Sequence, residues 1–242
     1  MTRPVWVILP TYNEAENLEM AVGAVLEGLE TAAPDGHRIL IVDDASPDGT
    51  GELADRLAHA HPGLVEVLHR PAKRGLGRAY LAGFARALAG GAGLVVEMDA
   101  DLSHDPADLP RLVAAAADAD LVLGSRYAPG GQILGWGPLR RIVSRGGSRY
   151  AQAILGLHVH DLTGGFKCFR REVLEAIDLP SVRSQGYGFQ VELTYRVVRR
   201  GFRVREIPIV FRDRRAGKSK MSGWIALEAV VRIPQIRARD GR

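Results

Sequence analysis

The sequence predicts an α/β protein with a mostly parallel sheet covered by helices on both faces. Three observations predict it. Short, continuous apolar runs recur through the first half of the chain. Segments of about 12 residues with helical periodicity separate them. A polar loop rich in turn formers or helix caps follows each run. Apolar strands joined by helices indicate parallel pairing, with both faces of the sheet covered.

The elements follow in order. Val5–Leu9 reads as a buried strand, ended by Pro10-Thr11-Tyr12-Asn13-Glu14. A helix is expected from about Ala15 to Leu29, with Asn13 and Glu16 spaced as a capping box. Arg38–Val42 is the second strand, stopped by Asp43-Asp44-Ala45-Ser46-Pro47-Asp48-Gly49-Thr50. Helices over Gly51–Ala60 and Leu76–Leu88 alternate with strands over Leu64–Leu68 and Gly93–Met98. Beyond these come a helix over Pro106–Ala117, a strand over Leu121–Gly124 and a glycine-rich loop over Ser125–Pro138. That loop is longer than a plain connector needs to be. A helix over Arg140–Leu155 carries Arg140, Arg141, Arg145 and Arg149. Asp161–Phe169 reads as strand-like and Tyr187–Arg200 as a helix. Val204–Arg212 reads as a late strand, which Pro208 places at an edge. A basic loop over Arg212–Ser222 and a helix over Met221–Arg239, interrupted near Pro234, close the chain. We expect one catalytic domain over residues 1–212 and an appendage over 213–242.

The 242 residues fit one large domain with at most a small appendage. Cys168 is the sole cysteine, so no internal disulfide forms and a reducing compartment is expected. With the first strand beginning at about Val5 no signal peptide is expected, and no apolar run reaches about 18 residues. Residues 196–242 hold 14 Lys/Arg and 4 Asp/Glu, a local +10. The rest therefore carries 18 against 24, or −6. Such a basic end points to an anionic partner: phosphate groups, a nucleic acid or a membrane surface. Solvated arginines on exposed helices are the plainer alternative.

Asp99-Ala100-Asp101 follows the fourth apolar run directly. Carboxylates two apart point to opposite sides of a strand and converge only where the strand breaks. Ser103-His104-Asp105-Pro106 supplies the break. Hard oxygen ligands of this kind suit Mg²⁺ or Mn²⁺ carrying a diphosphate. The alternative is an ordinary turn, with Asp105 as helix cap and Pro106 in the first helical position. Ligands of parallel sheets collect outside the carboxyl ends of the strands. The loops Pro10–Glu14, Asp43–Thr50, Pro71–Arg78 and Asp99–Asp105 should therefore share one edge with the Asp-x-Asp. Gly75-Leu76-Gly77-Arg78 lacks the dinucleotide fingerprint, and the first strand carries no glycine loop. His104, His158 and His160 show no metal-binding spacing and read as structural.

Those loops, with Gly124-Ser125-Arg126-Tyr127, resemble family 2 glycosyltransferases of the GT-A fold. The resemblance narrows to the dolichol-phosphate and polyprenol monophosphomannose synthases. It does so through Gly135-Trp136-Gly137-Pro138-Leu139-Arg140-Arg141, Ser144-Arg145-Gly146, Asp161-Leu162-Thr163-Gly164-Gly165-Phe166, Gly186-Tyr187-Gly188-Phe189-Gln190-Val191-Glu192 and Arg214 to Met221. The resemblance implies nucleotide contacts from Pro10, Tyr12 and Glu14, with Val42 and Asp44 flanking the base. It puts Asp99, Ala100 and Asp101 at the ribose and metal-bound diphosphate, with Asp99, Asp101 and Ser103 as the metal set. Ser103 stands where some relatives carry Gln, so its metal contact runs directly or through water. Arg126, Arg140, Arg214 and Lys220 would hold phosphate charge, and Asp101, Arg126 and Arg140 would carry catalysis. Asp161 matches a position near the acceptor, where a turn cap serves equally well.

The activity implied is inverting transfer of mannose from GDP-mannose to a polyprenyl phosphate, with one Mg²⁺ or Mn²⁺ ion. An anionic phosphate needs no general base. Relatives that glycosylate hydroxyls carry a Glu-Asp pair where this chain reads Phe189-Gln190-Val191-Glu192. The partners implied are the sugar nucleotide and the lipid, with no nucleic acid. Contact with the cytoplasmic face of a membrane would be peripheral, made directly or through a partner protein. The rivals are UDP-glucose on the same lipid, a non-catalytic binding module and a nucleotidyltransferase. The last would need a glycine-rich basic loop after the first strand, which is missing.

Overall fold

The structure, a computed structural model, describes residues 4–213 and 232–239. Its strands are β1 (Val5–Thr11), β2 (His37–Asp43), β3 (Val65–His69), β4 (Leu94–Glu97), β5 (Leu121–Ser125), β6 (Gln132–Leu134), β7 (Lys167–Arg170), β8 (Val204–Pro208) and β9 (Val210–Arg212). Its helices are α1 (Leu18–Ala32), α2 (Thr50–Ala60), α3 (Leu76–Ala89), α4 (Leu109–Ala115), α5 (Pro138–Leu155), α6 (Arg171–Ala176) and α7 (Gly186–Arg199). Residues 232–239 are helical as well.

Seven strands form the main sheet in the order β3-β2-β1-β4-β7-β5-β8. Strands β3, β2, β1 and β4 pair in parallel, β7 runs antiparallel between β4 and β5, and β8 pairs in parallel with β5. The expected mostly parallel α/β sheet is present. Alternation along β1 sorts its side chains onto two faces. Trp6 and Ile8 join a core with Tyr80 and Phe84 of α3 and Phe189 of α7. Val5, Val7 and Leu9 join a second core with α1 and α4 residues. Helix α3 lies close to the sheet because it carries Gly83, where a Cβ would meet Ile8 at 2.7 Å.

Several boundaries differ from expectation, each for a local reason. Helix α1 starts at Leu18, and Asn13 is no cap: it takes a left-handed φ of 55°. Its N–H donates to Ser46 Oγ, Glu14 N–H to Thr50 Oγ1 and Ala15 N–H to Asp48 Oδ2. Side chains of the β2–α2 loop and of Thr50 at the start of α2 thus hold three successive N–H groups of this turn in place of a capping box. The expected Pro106–Ala117 helix opens with a 3₁₀ turn, Pro106–Asp108, capped by Asp105, which accepts from Ala107 N–H at 3.0 Å. Helix α4 begins only at Leu109, with Pro110 in its first turn. The late strand splits around Ile209: β8 ends at Pro208 on the sheet edge, and β9 pairs in parallel with β6. Strand β6 lies within the segment expected to be loop. It forms because Ile209 N–H donates to Ser125 O, and Gln132 N–H to Ile209 O. Asp161–Phe169 becomes strand only from Lys167.

Ile233 and Ile236 in the 232–239 helix are buried in the core shared by α3, α5 and α7. Arg239 pairs with the fully buried Glu192, which also accepts from Arg196 at 2.7 Å and from Ser184 N–H at 3.1 Å. This part of the C-terminal region therefore packs back onto the domain.

Candidate active site

The strand-end loops of β1, β2, β3 and β4 gather on one edge and wall a cleft of about 380 Å³. Non-glycine residues with positive φ mark three of those loops: Asn13, Ala45 and Leu102. The left-handed conformation costs a non-glycine residue roughly 1 kcal/mol or more and concentrates at functional sites. At Leu102 it turns the chain back, so that Ser103 N–H and Oγ both donate to Asp101 Oδ1. Strand β4 has already ended at Glu97, which lets Asp99 and Asp101 both line the cleft.

Pro10, Tyr12, Glu14, Asp44, Asp99, Ala100, Asp101, Ser103, Arg126 and Arg140 all line it. Val42 differs: its side chain is fully buried in the core against Gly83 and is not on the cleft wall. Strand alternation points Val42 under α3. Arg214 and Lys220 lie outside the described residues.

Asp44 is ion-paired with Arg70 and accepts from Arg74 N–H at 3.3 Å. Lys73, from the same loop after β3, stands 3.8 Å over the Tyr12 ring. That loop was legible as a strand-end loop, but nothing in the sequence singled out its lysine.

Arg126 is more committed than a phosphate clamp would suggest. Its Nε and Nη2 donate to the two oxygens of Asp161, both at 2.7 Å, and its backbone N–H donates to Asp161 Oδ2 at 3.0 Å. Nη2 also reaches Thr163 Oγ1 at 2.9 Å. Asp161 is therefore the counter-ion of Arg126 rather than a turn cap. Burial pushes the Asp161 carboxyl up, but the charge and hydrogen bonds of Arg126 outweigh it and hold it below its ordinary value. Burial likewise acts to lower the Arg126 guanidinium, yet Asp161 raises it further, so it stays charged. Arg140 stacks on Trp136 at 4.0 Å and reaches Asp213 at 3.1 Å.

Tyr80 donates to Asp99 Oδ1 at 3.2 Å. Burial and the carboxylates of Asp99 and Glu97 push its phenol well above the ordinary value, so it remains a donor. His104 is buried and stacks on Phe166 at 5.2 Å. Burial takes it down to about 4, against the pull of Asp101, so it is neutral at pH 7. Below the cleft, burial raises Glu97 and lowers Lys167. Lys167 Nζ donates to Gln190 O at 2.8 Å and Thr194 Oγ1 at 3.0 Å.

The wall is thus acidic at the β4 loop and cationic and aromatic toward α5. Among the described residues no group of three or more His, Cys, Asp or Glu could by itself hold a metal. Two cleft carboxylates nevertheless fit a hard cation that takes its other ligands from diphosphate and water. Ser103 is turned to Asp101 as a donor, which makes it a support for that carboxylate.

The glycosyl transferase family 2 profile matches residues 6–178. The chain belongs to that family. It is 51% identical over 244 residues to a polyprenol monophosphomannose synthase of Mycolicibacterium smegmatis, covering 100% of this chain and 90% of the relative. It is 50% identical over 229 residues to an undecaprenyl-phosphate mannosyltransferase of Micrococcus luteus, covering 95% and 92%. Among solved structures, a glucosyl-3-phosphoglycerate synthase of Mycobacterium tuberculosis with Mn²⁺, UDP and glucosyl-3-phosphoglycerate aligns at a TM-score of 0.69. Identity there is 21%, over 99% of this chain and 80% of that one. A Pyrobaculum calidifontis mannosyltransferase with GDP-Man and Mn²⁺ aligns at 0.66 and 22% identity, over 100% and 66%. The fold is GT-A, and the chain is a glycosyltransferase.

Proposed function

We propose that this glycosyltransferase moves mannose from GDP-mannose to a polyprenyl phosphate, with inversion at C1. The observation that carries the reading is the composition of the cleft's far end. Arg140, braced on Trp136, stands where α5 begins, and Leu139, Ile142 and Val143 in the first two turns are 74%, 68% and 53% exposed. A cation beside an exposed apolar and arginine-rich helix face suits a phosphate whose tail lies in lipid. Kinship of about half the residues with lipid-phosphate mannosyltransferases supports the same substrates.

The nucleotide lies against Pro10, Tyr12, Glu14 and Asp44, with Lys73 closing over Tyr12. Asp101, steadied by Ser103, and Asp99 would hold one Mg²⁺ or Mn²⁺ ion. When bound, that ion neutralises diphosphate charge on the departing GDP. An acceptor phosphate oxygen attacks C1 from the face opposite the diphosphate. The C1–O bond breaks, GDP keeps the electron pair, and no proton moves. The protein must therefore position two mutually repelling anions in line. Arg140 supplies charge: its one described carboxylate contact, to Asp213, is 40% exposed on both sides, so solvent screens it and the guanidinium can turn to a phosphate. Arg126, already neutralised by Asp161, contributes donor geometry, its Nε and Nη2 being taken. We assign Arg214 and Lys220 to the donor diphosphate.

Among the described residues no helix is long and apolar enough to cross a membrane. We place the protein peripherally, at the cytoplasmic face, with α5 toward the lipid. The test is label transfer from GDP-mannose to a short-chain polyprenyl phosphate with Mn²⁺ or Mg²⁺. Transfer from UDP-glucose and none from GDP-mannose would overturn the donor assignment. Binding without turnover would overturn the enzyme.

A further inference from the structure

Gln190 has no assigned part in the reaction. Helix α7 places it on the cleft wall at 3% exposure, yet neither its amide oxygen nor its amide nitrogen makes a geometrically formed hydrogen bond. A buried unsatisfied amide costs roughly 1–3 kcal/mol, so both of its groups call for a partner. One amide N–H faces the Glu97 carboxyl and acts on it as a hydrogen-bond donor, short of ideal geometry, which leaves the second N–H and Oε1 without a partner. The other neighbour is a gap. A Cβ built on Gly165 would stand 3.5 Å from Gln190 Nε2 and 3.8 Å from Asp99 Oδ2. The missing side chain at Gly165 therefore leaves space between an amide and a carboxylate, open to the cleft.

We propose that Gln190 is a specificity-determining residue that reads hydroxyls of the donor sugar across Gly165, opposite Asp99. An amide both donates and accepts, and a carboxylate only accepts. A sugar hydroxyl in the gap accepts from Nε2 and donates to Asp99. A neighbouring hydroxyl donates to Oε1. A site built to bond hydroxyls discriminates far better than an apolar pocket, because a wrong epimer leaves buried polar groups unpaired. This inference rests on the GDP-mannose reading above.

The test pairs Gln190→Met, which keeps volume and removes both polar groups, with Gly165→Ala, which fills the gap. No contact of the new Cβ falls below 3.4 Å, so the alanine is accommodated without a clash. Titration calorimetry with Mn²⁺ measures GDP and GDP-mannose, and steady-state rates compare GDP-mannose with GDP-glucose. Both variants should bind GDP within about twofold of wild type and bind GDP-mannose about tenfold more weakly, the loss of one or two hydrogen bonds. The preference for mannose over glucose should fall similarly. Wild-type preference in Gln190→Met, or equal weakening toward GDP and GDP-mannose, overturns the proposal. If Gln190→Met misfolds, Gly165→Ala still decides it by the same ratio. A wild-type protein that binds no GDP-mannose overturns the parent reading, and this one with it.

Discussion

Asp161→Asn removes the negative half of an ion pair whose side chains are 5% and 0% exposed, Arg126 and Asp161 respectively. Solvent cannot replace the lost charge there. Removing one partner of a buried pair costs about 3–5 kcal/mol, because the other charge is left uncompensated. Asparagine keeps one acceptor for the Arg126 backbone N–H, so the lower end, about 3 kcal/mol, is expected. At about 2–4 °C per kcal/mol for a chain of this size, Tm should fall by roughly 10 °C at pH 7. The double variant Arg126→Met/Asp161→Leu removes both charges and should be more stable than the summed single losses by several kcal/mol. The pH dependence has a definite sign. Asp161 titrates below its ordinary 3.8 when folded. Its stabilisation is thus complete above about pH 5 and lost as pH falls through the folded value. The gap in Tm between wild type and Asp161→Asn should therefore narrow as pH drops from about 5 to 2. Circular dichroism melts across that range measure it. A Tm for Asp161→Asn within about 3 °C of wild type at pH 7, or strict additivity in the double variant, would refute the reasoning.

Other expectations follow from the same geometry. Asp101→Asn should lower transfer at least about 100-fold and abolish the extra thermal stabilisation that Mn²⁺ gives with GDP. Full stabilisation in the variant would place the cation elsewhere. Leu139→Ser/Ile142→Ser/Val143→Ser should leave Tm within about 2 °C, since those side chains are exposed, but weaken sedimentation with anionic vesicles more than about tenfold. Unchanged sedimentation would move the membrane contact to another surface or a partner protein. Burial pushes the Cys168 thiol up to about 12, so iodoacetamide at pH 8 should label it only after unfolding. Rapid labelling of the native protein, read by mass spectrometry, would contradict its burial.

Much of the scaffold was legible in one dimension. Apolar runs with period-2 or continuous patterning fix β1 to β4, because their burial is a property of each strand's own residues. The clustering of strand-end loops follows from parallel pairing, and it brings Pro10, Tyr12, Asp44, Asp99 and Asp101 to one cleft. What pairs with what within that cleft was not legible. Asp161 reaches Arg126 across 35 residues, Asp44 reaches Arg70 across 26, and β9 pairs with β6 only because both leave the main sheet near Ser125. The Arg126–Asp161 contact depends on the antiparallel insertion of β7 between β4 and β5, which no local pattern encodes. Val42 shows the converse: the chain brings it to the right strand end, and the pleat turns its side chain into the core. The sequence by itself determined the α/β class, the Asp-x-Asp at a strand end and the family. Tertiary structure alone decided which charges are already neutralised and which buried polar groups still lack a partner. Charge pairing and desolvation depend on distances between residues far apart in the chain, and those exist only after folding.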